Sequence, residues 1–157
     1  MNRVSLINCS ATGKGIQSIK KYAKSPIDIV LENVPDGGYV VAFAENVYHK
    51  NNQTHFVACY NFSKRREQWT FKNICFLKEP CGISVDNDGN VFVEGNASNN
   101  VVVVSADGKQ HKEILKVCEN LVYPYTLDHN RSTNELSVAN GTGKAMLLLL
   151  ITDLSIK

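Results

Sequence analysis

The chain has 157 residues, which the usual domain size of roughly 100–150 residues makes one domain or a piece of a larger one. Apolar residues make up 43% and charged residues 20%, too apolar a mixture for a disordered tail, and the net charge of +2 neither demands nor forbids an anionic partner. The longest apolar run, Ala145 to Ile151, falls far short of the ~18 residues of a membrane span, so a membrane-inserted helix is excluded and no membrane partner is expected.

No charged stretch followed by an apolar run opens the chain, and the expectation is a cytoplasmic protein. Cysteine usage agrees. Cys9, Cys59, Cys75, Cys81 and Cys118 never form a C-x-x-C pair, and His49, His55, His111 and His129 include no H-x-x-x-H. Reduced, scattered thiols are expected, with no metal site and no cofactor.

Internal repetition organises the rest. Slid by 44 residues, Asn46-Val47-Tyr48 falls on Asn90-Val91-Phe92 and Val57-Ala58-Cys59-Tyr60 on Val101 to Val104. Leu77-Lys78-Glu79-Pro80 lands on Leu121-Val122-Tyr123-Pro124, and the same shift again carries Pro80 to Pro124 and Ile83 to Leu127. In chain order, residues 1–35 predict two outer strands (Val4 to Ile7 and Ile16 to Ile19) of one unit and an irregular junction, in which Ile27 to Leu31 finds no place. Residues 36–79, 80–123 and 124–157 predict three further units, the last ending after its third strand.

The clearest unit predicts strands at Gly82 to Val85, Val91 to Glu94, Val101 to Ser105 and Lys112 to Leu115. Asp-Gly turns join the first pair and the last pair, where glycine supplies the positive φ of a tight turn. Strands such as Val101 to Val104 are apolar at every position, as in a sheet covered on both faces. Four-stranded sheets stacked side by side at this period are the blades of a β-propeller. The predicted fold is therefore all-β: a partial β-propeller of about three to four four-stranded antiparallel blades.

The run Pro80-Cys81-Gly82-Ile83-Ser84-Val85-Asp86-Asn87-Asp88-Gly89-Asn90-Val91-Phe92-Val93-Glu94-Gly95 resembles the NHL repeat, and Asn99 to Val104 with Asp107-Gly108-Lys109 continues it. Gln68 to Asn73 resembles the segment leading into this repeat in tripartite-motif proteins. Glu94 departs from the pattern, which has a small or apolar residue there, and Cys81 replaces a basic one. The resemblance implies blades of the NHL type and a non-enzymatic recognition module, binding protein or structured RNA. Full-length relatives carry a RING finger, B-boxes and a coiled coil and deliver targets for ubiquitin transfer; this sequence has no paired cysteines or heptads, so ligase activity of its own is not expected.

Three motifs invite chemistry and read better as turns. Asp86 to Asn90 imitates a calcium loop but has Val91 and Ala97 where an EF-hand needs Gly and Glu. Thr12 to Gly15 and Gly141 to Ala145 lack the first Gly and the Ser/Thr of a phosphate loop. Six N-x-[ST] sequons reflect an Asn-rich turn composition. No catalytic constellation is present.

Blade connectivity sorts the loops onto two ends. Lys64-Arg65-Arg66 shares an end with Asp86, Asp88 and Asp107. The opposite end collects Lys50, Asn52, Lys72, Asn96, Asn99, Tyr123, Tyr125 and Lys144, side chains that stack, hydrogen-bond and neutralise phosphate, and these are the candidate binding residues. Two alternatives remain open: a propeller enzyme (a lyase or lactone hydrolase) with an axial metal near Glu94, His49, Asp128 and His129, and an extracellular scaffolding propeller. A partial ring also predicts an apolar open inter-blade face and self-association through it.

Overall fold

The computed structural model describes residues 26–33, 39–49, 52–61, 66–73, 75–116, 122–141 and 146–150, with side chains over 55–59, 66–73, 75–116 and 122–141. The strands predicted at Val4 to Ile7 and Ile16 to Ile19 lie outside the described residues. Eleven strands are described: β1 (Pro26–Asn33), β2 (Tyr39–His49), β3 (Asn52–Asn61), β4 (Arg66–Phe71), β5 (Pro80–Val85), β6 (Val91–Gly95), β7 (Asn100–Val104), β8 (His111–Leu115), β9 (Pro124–Asn130), β10 (Glu135–Asn140) and β11 (Met146–Leu150). They form three antiparallel meanders: β1-β2-β3-β4, β5-β6-β7-β8 and β9-β10-β11. There is no helix among the described residues. Over the described residues the protein is all-β, with its sheets arranged like the blades of a partial propeller and the first strands β1, β5 and β9 packed in succession.

Turn chemistry sets the second sheet. Gly89 (φ 84°) and Gly108 (φ 73°) take the left-handed conformation in its two hairpin turns. Asp86 is buried and accepts at Oδ1 from the Asp88 and Asn90 amides (2.9 and 2.8 Å) and at Oδ2 from Asn90 Nδ2 (2.9 Å). The carboxylate ties its own turn, as the hairpin reading of this motif requires.

The pleat then divides the side chains of β6 and β7 between two cores. Val91, Val93, Val102 and Val104 face the first sheet, packing with Ile83 and Val85 of β5, Val57, Phe71 and Leu77. Phe92, Val101 and Val103 face the third sheet, packing with Leu127, Leu136 and Val138. All of these β6 and β7 side chains are at most 2% exposed. Burial on both faces is why these strands read as unbroken apolar runs.

Near the first strands the sheets come closer, and β5 turns small residues toward β9. Ser84 Oγ accepts the His129 amide (3.1 Å). A Cβ on Gly82 would lie 2.6 Å from Glu94 Oε2 and 3.1 Å from the Leu127 amide nitrogen. Glu94, the residue out of keeping with the repeat, thus fills the space that Gly82 leaves.

The first sheet departs from the predicted boundaries. It begins at Pro26, so Ile27 to Leu31 belongs to its first strand and not to a junction before residue 36. The predicted equivalence of Asn46-Val47-Tyr48 with Asn90-Val91-Phe92 also fails. Val57 pairs with Ala44, whereas its repeat counterpart Val101 pairs with Glu94. The reason is a longer hairpin: β2 and β3 have 11 and 10 residues, β6 and β7 five each. Pairing continues through Asn46↔His55, Val47↔Thr54, Tyr48↔Gln53 and His49↔Asn52, past the point where the second sheet turns.

The third sheet differs on its outward face. In β9, Leu127 and His129 are buried while Thr126, Asp128 and Asn130 are exposed; their β10 partners Ala139, Ser137 and Glu135 are half-buried. On β9 and β10 this face is therefore polar; the side chains of β2 and β11, which belong to the open faces around Tyr39 to Tyr60 and on the last blade, lie outside the described ones.

Substitution Gly82→Ala forces its Cβ into the Glu94 carboxylate and the β9 backbone. We expect a loss of about 1–3 kcal/mol of unfolding free energy, as for other overpacked cores, measured by urea denaturation followed by circular dichroism.

Candidate recognition surface

Hydrogen bonds between sheets align their ends. At one end, Asn87 Nδ2 donates to the Arg131 carbonyl (3.0 Å) and Trp69 Nε1 to the Ala106 carbonyl (2.9 Å). Trp69 also packs against the core between the first two sheets, so it is blade packing and not a ligand platform. This end is mixed in charge: Arg66, Asp88, Asp107, Lys109 and Arg131 are exposed, and the exposed Lys109–Asp107 pair (3.5 Å) contributes little. The Ser105 hydroxyl and the Lys109 amide hold the Asp107 carboxyl below its ordinary pKa. Lys64 and Arg65 lie outside the described residues.

The opposite end carries the connectors between sheets, and a repeated joint shapes it. Glu79 (φ 51°) and Tyr123 (φ 47°) each precede the proline that opens the next sheet, and both are left-handed. The Glu79 carbonyl accepts the Asn96 amide (3.0 Å), and the Tyr123 carbonyl accepts the Gly141 amide (2.6 Å), so each connector caps a turn of its own sheet. The Tyr123 amide in turn donates to Asn99 Oδ1 (2.7 Å) and the Glu79 amide to His55 Nδ1 (3.3 Å), tying each connector to the sheet before it.

Two of the predicted binding residues are thereby spent on the fold. Asn99, itself left-handed (φ 50°), receives the Tyr123 amide, and Asn96 Nδ2 donates to the Pro124 carbonyl (2.8 Å). Tyr123 and Tyr125 are 58% and 70% exposed. Lys72 is exposed with Nζ 5.3 Å from the Phe56 ring centroid, a cation–π contact that leaves the ammonium at the surface. Asn52 opens β3 opposite His49, with its side chain outside the described ones, and Lys50 and Lys144 lie outside the described residues.

The sequence reading missed three residues at this end. Phe76 and Val122 are 40% and 43% exposed in the two connectors. His55 is buried as the acceptor of the first joint; the 44-residue shift that places it on Asn99 is the one sequence signal that marks it. The surface is completed by exposed Lys78 and Lys116; Lys116 lies 4.0 Å from Glu113, which also accepts from Asn100 Nδ2 (2.7 Å). The arrangement presents aromatic rings and ammonium groups on connectors whose backbone is pinned.

Of the residues considered for an axial metal, two share one interface and one faces outward. Glu94 and His129 are buried between the second and third sheets, His129 stacked on Phe92 (5.5 Å) with Nε2 3.0 Å from Asn134 Oδ1. Asp128 points to the exposed face of β9, and the His49 side chain lies outside the described ones. Among the described residues no group of three His, Cys, Asp or Glu is placed to hold a metal ion.

No protein-family model and no curated protein matches the sequence. Among solved structures, the chain is similar to a protein of unknown function from Bacteroides caccae, at 16% identity and a TM-score of 0.48, covering 84% of this chain and 46% of that one. The chain thus spans about half the length of that structure.

Two predictions separate scaffold from surface. Asn99→Ala removes the acceptor of the Tyr123 amide and places alanine at a positive φ; unfolding free energy should fall by about 1–2 kcal/mol in denaturant titration. Burial pushes the Cys59 thiol up to about 12, whereas Cys75 is exposed. Peptide mapping after iodoacetamide treatment at pH 8 should find Cys75 alkylated and Cys59 unmodified until the protein is denatured.

Proposed function

We propose that this chain is a non-enzymatic recognition module of the NHL-repeat, tripartite-motif-like kind, which engages structured RNA through its connector end. The observation that carries the reading is the exposure of Tyr123 and Tyr125, and of Lys72, Lys78 and Lys116, at that end. Aromatic faces stack unpaired bases, and each ammonium displaces counterions from phosphate. Lysine is depleted at protein–protein interfaces, so the lysines favour RNA over a protein partner. Asn96 and Asn99 hold backbone groups, which leaves stacking and charge, and not amide readout, as the main sources of affinity. In a longer relative bearing a RING finger, such a module would bring its bound target to ubiquitin transfer in the cytoplasm.

The test is fluorescence anisotropy with a labelled RNA hairpin carrying an unpaired loop. Tyr123→Ala and Tyr125→Ala should each weaken binding by roughly 5- to 150-fold, the factor for one lost base stack, with the circular dichroism spectrum unchanged. Affinity should fall linearly with salt on a log–log scale, and Lys72→Glu with Lys78→Glu should make that slope shallower. Binding insensitive to salt and to both tyrosines would overturn the RNA reading. Salt-independent capture of a protein ligand by the same tyrosines would replace it with protein recognition.

A further inference from the structure

The two joints at the connector end follow one plan with one chemical difference. In the later joint the amide of a left-handed residue, Tyr123, donates to Asn99 Oδ1 (2.7 Å). In the earlier one the amide of left-handed Glu79 donates to His55 Nδ1 (3.3 Å). The 44-residue shift places Glu79 on Tyr123 and His55 on Asn99, and the shared register of Val57 and Val101 supports it: each pairs with the outer strand of its sheet, at Phe71 and Leu115. An amide oxygen accepts a hydrogen bond at any pH. An imidazole Nδ1 accepts only while it carries no proton.

We propose that His55 is a proton-sensitive latch between the first sheet and the connector to the second, closed when its ring is neutral and opened when Nδ1 takes up a proton. A protonated Nδ1 would point its own N–H at the Glu79 N–H, and the bond becomes a repulsion. The joint it would open is the one whose partner joint, built with Asn99, does not respond to pH.

The surroundings fit this role. His55 is 5% exposed, and its burial lowers its pKa below the ordinary value of 6.5; Glu79 pulls in the opposite direction and Lys78 adds to the lowering. The described charged and titratable groups around it are Lys78 and Glu79 on the connector and Lys72 just past β4, over the ring of neighbouring Phe56. From β5, Cys81 Sγ donates to the Glu79 carbonyl (3.2 Å), and within the first sheet His55 pairs with Asn46. Because the folded pKa is below the unfolded one, the latch contributes fully above about pH 6.5, and its contribution is lost as pH falls through the lower folded value. Glu79 closes the connector that bears Phe76 and Lys78, so on the recognition reading given above acid would unfasten one side of that surface.

The experiment is an NMR titration of the full chain from pH 7.5 to 4.5, following the His55 ring and the Glu79 and Tyr123 amides, with thermal melts of the same samples. His55 should titrate below 6.5, the Glu79 amide should shift with the same midpoint, and its protection from hydrogen exchange should fall about fivefold, the loss expected for one hydrogen bond. The Tyr123 amide should not follow. His55→Asn, which installs the acceptor used in the other joint, should keep Glu79 protected at low pH and flatten the acid limb of the melting profile. The latch is overturned if His55 titrates without the Glu79 amide following, or if His55→Asn keeps the acid dependence of the native chain. Should the variant not fold, the titration of the native chain decides alone, and none of these readouts depends on RNA.

Discussion

Everything in this molecule depends on sheets covering one another. The middle sheet has apolar side chains on both faces of β6 and β7, and neither face tolerates water: fully burying a valine or phenylalanine is worth roughly 1.5–3 kcal/mol. A four-stranded meander alone would expose one complete set. Packed between two others, it assigns Val91, Val93, Val102 and Val104 to one neighbour and Phe92, Val101 and Val103 to the other. Gly82 and Ser84 belong to the same constraint, since they let β5 approach β9 closely enough for Ser84 to bond the His129 amide.

That packing also decides what the connector end can offer. A chain leaving the outer strand of one sheet must return to the first strand of the next, and its peptide groups need partners on the way. Asn96, Asn99, Asn140 and His55 supply them: Asn96 and Asn99 for Pro124 and Tyr123, Asn140 for the Val122 amide (3.1 Å), His55 for Glu79. With the polar side chains turned to the backbone, rings and ammonium groups are left outward on a path they do not have to hold. Loops pinned to a rigid scaffold in this way are suited to recognition, because little ordering entropy is lost on binding.

The second sheet was the most legible part of the sequence, and for physical reasons. Its turns hold Asp-Gly pairs and its strands are short and bounded, so the predicted Val91 to Glu94 differs from the observed strand by one residue at one end and the predicted Val101 to Ser105 by one residue at each end. The first sheet was less legible because hairpin length is not fixed by the repeat. Lys50 and Asn51 lie outside the described residues, and nothing in Glu45-Asn46 told that pairing would run straight through to His49 and Asn52. At the surface the ambiguity lay in chemistry. An asparagine in a turn looks the same whether its amide meets a ligand or a neighbour's carbonyl, which is why Asn96 and Asn99 stood beside Tyr123 and Tyr125. Phe76 carried no signal, being a single aromatic residue in an irregular connector.

The second and third sheets differ in what the described strands present on their faces. A face that meets another blade is β-branched and apolar, as on β6 and β7. On β9 the alternation is resolved, with Leu127 and His129 turned inward and Thr126, Asp128 and Asn130 outward, the pattern of a strand solvated on one face. Over β9 and β10 the third sheet covers Phe92, Val101 and Val103 with one face and turns Thr126, Asp128 and Asn130 outward on the other, while its connector holds Tyr123 exposed at the same end as Lys78 and Phe76.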